Sequence, residues 1–133
     1  METGLTKKEF LSKIFKDAGC VAADFFKHKH YTIITRSGIE KIQAFNDIKV
    51  NYILERCEPN FCVIKALCSL GGKEVETYGS ALKGSSHNDG STNTWYVAEM
   101  AEKRAFSRGV LKIMGLYEHG IMGADESEDF KKG

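Results

Sequence analysis

From Asp47 to Leu82 the chain reads "DIKVNYILERCEPNFCVIKALCSLGGKEVETYGSAL", and in its opening stretch apolar side chains recur at every second position. Ile48, Val50, Tyr52 and Leu54 point one way; Lys49, Asn51, Ile53 and Glu55 point the other. A period of two is the mark of a β-strand with two unlike faces. Two short breaks divide the run. "EPN" holds Pro59, the only proline in the chain, and reads as a turn. "GGK" reads as a tight hairpin, since glycine accepts the positive φ that such turns demand. The middle segment "FCVIKALCSL" is apolar on both faces except at Lys65, which predicts a central strand. Three antiparallel strands in a meander are the expectation.

Around this stretch the period is helical. Residues 6 to 18 place Phe10, Leu11, Ile14 and Phe15 on one face, with Thr6 and Glu9 at capping-box spacing and Gly19 at the end. "VAADFFKHKH" is ambiguous and reads as the start of a second turn of helix. "YTIIT" (31 to 35) is β-branched and reads as a short strand. "SGIEKIQAF" reads as a short helix with Ser37 as its cap and Glu40 three residues later. A polar, glycine- and serine-rich loop spans residues 83 to 93, and a long helix is expected from Thr94 to Met114, with Gly115 at its end. The predicted fold class is α+β: a three- to four-stranded antiparallel sheet with a long helix across one face. The 133 residues are expected to form one domain over 1–123, followed by an acidic tail over 124–133.

The long helix carries the functional question. "YVAEMAEKRAFSRG" sets small residues beside cations. Ala98, Ala105, Gly109 and Ile113 fall on one side at 100° per residue and suit close approach to a sheet. Arg104, Arg108 and Lys112 follow at i, i+4 and i+8, a single stripe beside that seam. Glu99 stands four residues before Lys103, so the stripe itself is not neutralised along its length. Two readings are open: a solvated helix edge whose long side chains snorkel past apolar neighbours, or a row aimed at phosphates. Arg36, Lys49, Arg56, Lys65 and Lys73 are placed to add charge from the strands and turns. Lys and Arg total 19 against 18 acids; without residues 124–133 the body holds 17 bases and 14 acids. That balance permits a local basic groove and does not require one.

"YTIITRSGIEKI", the meander, and then "YVAEMAEKRAFSRGVLKIMGL" with an acidic tail together resemble the single-strand annealing recombinases. These are the phage annealing proteins of the Erf and Sak type and the eukaryotic repair annealing proteins that share a β-β-β-α core. The resemblance covers about residues 31 to 129. It implies that Lys103 and Arg104, which match the family's "KRA", contact the backbone of single-stranded DNA, with Arg108 nearby. The aromatic-glycine ending usual in the eukaryotic helix is missing. The implied activity is physical, not catalytic: cations neutralise phosphates, and bases stay exposed for a complementary strand. The implied partners are single-stranded DNA and further copies of the chain, as a homo-oligomer that in the family is often a ring. The acidic tail, in this picture, mimics DNA or contacts a replication or recombination partner. The implied location is the cytoplasm of a bacterial host.

Competing readings stay open. A double-stranded-RNA-binding module has a similar order of elements, but its second helix opens with lysines, and Thr94 to Met100 holds no base. A phage structural or adaptor protein would turn the stripe toward an acidic subunit instead. An enzyme is the weakest candidate. His28 and His30 form a lone HxH, His87 lies in the polar loop near Asp89, and no Walker loop, nucleophile elbow or HExxH occurs. No cofactor and no metal are expected. Cys20, Cys57, Cys62 and Cys68 lack a CxxC spacing and are expected as reduced thiols, although Cys57 and Cys62 flank a turn and are placed to approach across it. No apolar run nears the roughly 20 residues that span a bilayer, so no membrane partner is expected.

Overall fold

The computed structural model describes residues 6–84 and 96–126. Thr6 caps α1 (Lys7–Ala18) through a reciprocal capping box: its hydroxyl accepts from Glu9 N at 3.2 Å, while the Glu9 carboxylate accepts from Thr6 N at 3.0 Å. Such a cap is worth about 1 kcal/mol. Gly19, at φ +83°, closes the helix. The ambiguous stretch that follows is a 3-10 turn (Ala22–Asp24) leading into β1 (Phe25–His28), which hairpins into β2 (Tyr31–Ile34). The helical start expected in "VAADFF" thus lasts for one turn. Asp24 is buried where that turn meets α2 (Arg36–Asn46). Its carboxylate accepts from Val21 N at 2.9 Å and from Lys41 Nζ at 2.8 Å. The cap of α2 is Thr35, whose hydroxyl accepts from Gly38 N at 3.2 Å, so the helix begins ahead of the expected Ser37.

The meander forms with the expected order. β3 (Lys49–Glu58), β4 (Phe61–Leu70) and β5 (Lys73–Leu82) make one antiparallel sheet with β4 central. Leu70 faces Lys73 across Gly71 and Gly72, both at positive φ, which is the backbone a two-residue primed turn requires. A bulge between Leu54 and Arg56 interrupts the pairing of β3 with β4. Each sheet in the described residues has three strands. "YTIIT" does not extend the meander; as β2 it lies between β1 and β6 (Ile121–Gly123) in a second sheet, parallel to β6.

The long helix, α3 (Val97–Ile113), packs across β4 and β5, giving the α+β layering. The close-approach seam runs through Ala101, Ala105 and Gly109; Ala98 is only half-buried. A Cβ at Gly79 of β5 would collide with the backbone at Ala101 and Ala105, so glycine there sets the helix–sheet distance. Thr77 Oγ1 donates to Ala105 O at 2.9 Å across the same seam. The opposite side of α3 is covered as well, by α2 and β6. Val110, Leu111 and Ile113 join Ile34, Ile39, Ile42 and Ile48 in one core.

Candidate nucleic-acid interface

Because α3 is covered on two sides, few of its positions reach the surface. Glu99, Lys103 and Lys112 are exposed, Arg108 is half-buried, and Arg104 is only 7% exposed. The stripe predicted from i, i+4, i+8 spacing therefore passes from buried to exposed along its length. With Ala105 and Gly109 lying over Gly79 and Cys68, residues 104 and 108 lean past β5 on the side away from β4. There they meet alternate carbonyls of β5. Arg104 Nη1 donates to Ser80 O at 2.8 Å, and Arg108 Nη1 donates to Tyr78 O at 2.7 Å.

The same guanidinium groups hold the start of the acidic tail. Residues Ala124–Glu126 form a 3-10 turn against α3. Arg104 Nε donates to Asp125 O at 3.1 Å, and Arg108 Nε lies 3.5 Å from Glu126 Oε1. Arg36, at the start of α2, brings a third cation: its Nη1 is 3.8 Å from Asp125 Oδ2 and its guanidinium sits 4.5 Å over the Phe106 ring. That Nη1 is buried and within ion-pair range, yet it makes no hydrogen bond; Nε of the same group donates to Glu40 at 3.0 Å. Ser107 Oγ donates to Asp125 at 3.3 Å, and Tyr117 OH donates to Glu126 at 2.6 Å. Burial, then the charge and hydrogen bond of Glu126, push the Tyr117 phenol well above its ordinary range, so it stays a donor. Lys103 is exposed and stands one helical turn before Ser107.

The remaining predicted cations lie elsewhere. Lys49, Arg56 and Lys65 lie on the side of the meander opposite α3. Lys65 sits 3.5 Å from Glu55 and 3.9 Å from Glu76, with its ammonium 5.9 Å from the Tyr78 ring centroid; Glu76, foremost, raises its pKa. Arg56 pairs with Glu58 and lies 5.5 Å over the Phe61 ring. Lys49 is 3.5 Å from Asp47, and Lys73 begins β5 at the hairpin. The sheet separates Lys49, Arg56 and Lys65 from the arginine cluster, so the structure does not bring the eight predicted residues into one groove. Sequence reasoning missed Ser107 and Tyr117 altogether. The signal for Asp125 and Glu126 was present as tail acidity, without the fold that returns them to α3.

Among the described residues no group of three histidine, cysteine or acidic side chains could hold a metal, and no helix is long and apolar enough to cross a membrane. Cys57 and Cys62 face each other across β3 and β4, and both are free thiols. Burial and the neighbouring Cys57 push the Cys62 thiol up to about 11. His87 and Asp89 lie outside the described residues, as does the tail from residue 127 onward. No protein-family model matches the chain, and no match was found among curated proteins or solved structures.

Proposed function

We propose that the protein binds single-stranded DNA and promotes annealing of complementary strands, as a homo-oligomer and without catalysis. The observation that carries this reading is the convergence of Arg36, Arg104 and Arg108, from two helices, on one carboxylate-bearing turn. A site that already gathers Asp125 and Glu126 has the charge and donor geometry for oxyanions, and guanidinium forks suit phosphate. Within it the roles divide by exposure. Lys103 and Arg108 form the rim that phosphates approach, with the charge of Arg36 behind them. Arg104 shapes the rim from below. Lys112, exposed two turns past Arg104, extends the track. Backbone contacts of this kind tolerate any sequence and leave bases free to pair.

Fluorescence anisotropy with a labelled oligonucleotide, single-stranded against duplex, at two salt concentrations tests the reading. Tight binding of the single strand that weakens steeply with salt is expected. Lys103→Ala with Arg108→Ala should lower the salt slope by about one for each phosphate that is no longer neutralised. Absence of binding at low salt would sink the proposal. A second reading rests on the burial of Arg104, whose Nε and Nη1 both donate to backbone carbonyls. Under it the cluster only clamps residues 124–126 onto α3, and the protein is a structural adaptor.

A further inference from the structure

The two edges of the meander are unlike. On β5, the carbonyls of Tyr78 and Ser80 already accept from Arg108 and Arg104, so an added strand would find its acceptors occupied. On β3, no strand among the described residues pairs with the outer edge. α3 lies over β4 and β5 and leaves β3 overhanging, with Tyr52 40%, Ile53 42% and Leu54 60% exposed. Apolar side chains therefore reach solvent on both faces of a free edge. Protein edges are ordinarily blunted by charge, by proline or by short length, because a bare apolar edge templates pairing. Here the blunting is confined to the ends of β3: Lys49 at its start, and the bulge at Glu55 with the charges of Glu55, Arg56 and Glu58 beyond it, which leave Lys49 to Leu54 as a regular run.

We propose that β3 pairs antiparallel with β3 of a second copy, about a two-fold axis at Tyr52, joining two meanders into one six-stranded sheet. An axis normal to the sheet keeps like faces together, so paired residue numbers must sum to an even value. Centring on Tyr52 sets Lys49 opposite Glu55, Val50 opposite Leu54 and Asn51 opposite Ile53. Each charge meets its opposite, and the aliphatic groups on the helix side, Val50 and Leu54, meet each other. Glu55 lies 3.5 Å from Lys65 in its own copy, so its carboxylate already points to the face that Lys49 shares. Centring one residue on, at Ile53, sets Arg56 against Val50 and loses this match. Both copies then carry α3 on the same side of the joined sheet, and the two arginine clusters lie at its outer margins. The pairing supplies a surface for the homo-oligomer proposed above, but it rests on strand geometry and needs no DNA.

Sedimentation velocity without nucleic acid, across a concentration series, measures the assembly. The expected species has twice the 14.8 kDa chain mass. Lys49→Glu and Glu55→Lys, made separately, set like charges opposite each other and should weaken self-association by about tenfold or more. Mixing the two single variants restores both ion pairs and should regenerate a dimer, as should the double variant alone. Circular dichroism of each variant reports whether its fold is retained. A wild-type protein that stays monomeric throughout, or single variants that assemble as the wild type does, would overturn the pairing. Failure of oligonucleotide binding with the dimer intact would overturn only the nucleic-acid reading.

Discussion

Replacing Arg104 by alanine separates the two roles a cation on α3 can play. Arg104 is 7% exposed, and its guanidinium donates at 2.8 Å to Ser80 O and at 3.1 Å to Asp125 O. A hydrogen bond from a charged donor contributes about 1.5–3 kcal/mol net. Ser80 O lies at the edge of β5 and Asp125 O in the turn at the start of the tail, both at margins where water can replace the donor once the side chain is gone, so the lower end applies to each. The loss comes to about 3 kcal/mol, which at a urea dependence of about 1.5 kcal/mol per M moves the unfolding midpoint down by about 2 M. Lys103→Ala, at an exposed neighbour, should stay within about 0.5 kcal/mol of the wild type. Oligonucleotide binding by the folded protein should show the opposite ranking, with Lys103→Ala lowering the salt slope by about one. Arg104→Lys should recover part of the stability, because a single ammonium cannot serve both carbonyls in the geometry of the fork. An Arg104→Ala protein that unfolds at the wild-type midpoint and has lost DNA binding would refute the division, since Arg104 would then be a phosphate contact.

Two further perturbations test the scaffold that places these residues. Gly79→Ala would press a Cβ against the backbone of Ala101 and Ala105 and within 2.9 Å of Arg104 Cβ, where nothing can rotate aside. It should cost at least the roughly 3 kcal/mol upper end of ordinary overpacking, read as a lowered urea midpoint; a loss under about 1 kcal/mol would mean that α3 does not sit this close. Burial alone would raise the pKa of Asp24, but the hydrogen bond from Lys41, that from Val21 N and the Lys41 charge outweigh it and hold the carboxyl below its ordinary 3.8. A depressed carboxyl contributes stability that is present above the unfolded value and is lost as pH falls through the folded one. Asp24→Asn should therefore be less stable than the wild type at pH 7, and the gap should close below about pH 3.8. A gap that persists unchanged at pH 2.5 would assign the effect to packing.

What could be read from the sequence follows the range over which each signal acts. The meander was legible because its alternation, its glycine turn and its proline turn are all local. So were the capping box at Thr6 and the end of α3, although α3 starts at Val97, after the expected Thr94. The second sheet was not, because β6 is three residues long and pairs with β2 from the far end of the chain, where no local period can show it. The cap of α2 lies between two hydroxyls of similar promise, Thr35 and Ser37; Thr35 takes the role because its backbone is extended, at φ −74° and ψ 165°. At the candidate site the stripe was legible as spacing and illegible as burial. A helical wheel orders residues around one axis, but it does not say that sheet and helix will cover both sides of that axis. Nor does it say that Asp125 will return beneath Arg36.

One signal in the sequence does track that burial, and it is the choice between arginine and lysine. On α3 the two residues that reach backbone carbonyls are Arg104 and Arg108, and the two that stand in solvent are Lys103 and Lys112. A guanidinium offers donors in a rigid plane, is weakly hydrated, and can satisfy two acceptors while its stem is buried. An ammonium is a hydrated point charge that loses more when taken from water. Arginines four residues apart beside a small-residue seam therefore read as groups that bind backbone at a sheet edge, whereas lysines on the neighbouring turns read as solvent charge. The same edge contacts close β5 to an added strand and leave β3, among the described residues, as the unpaired margin of the sheet. Arg108→Lys joins these consequences in one variant. Losing the Nη1 donor at Tyr78 O would open the β5 edge, and heterologous pairing of β5 with β3 of another copy would compete with the two-fold dimer. Sedimentation should then show species larger than a dimer that grow with concentration, because a head-to-tail contact does not close on itself. A variant that remains a discrete dimer would show that the arginine contacts to β5 do not govern how the sheet edges pair.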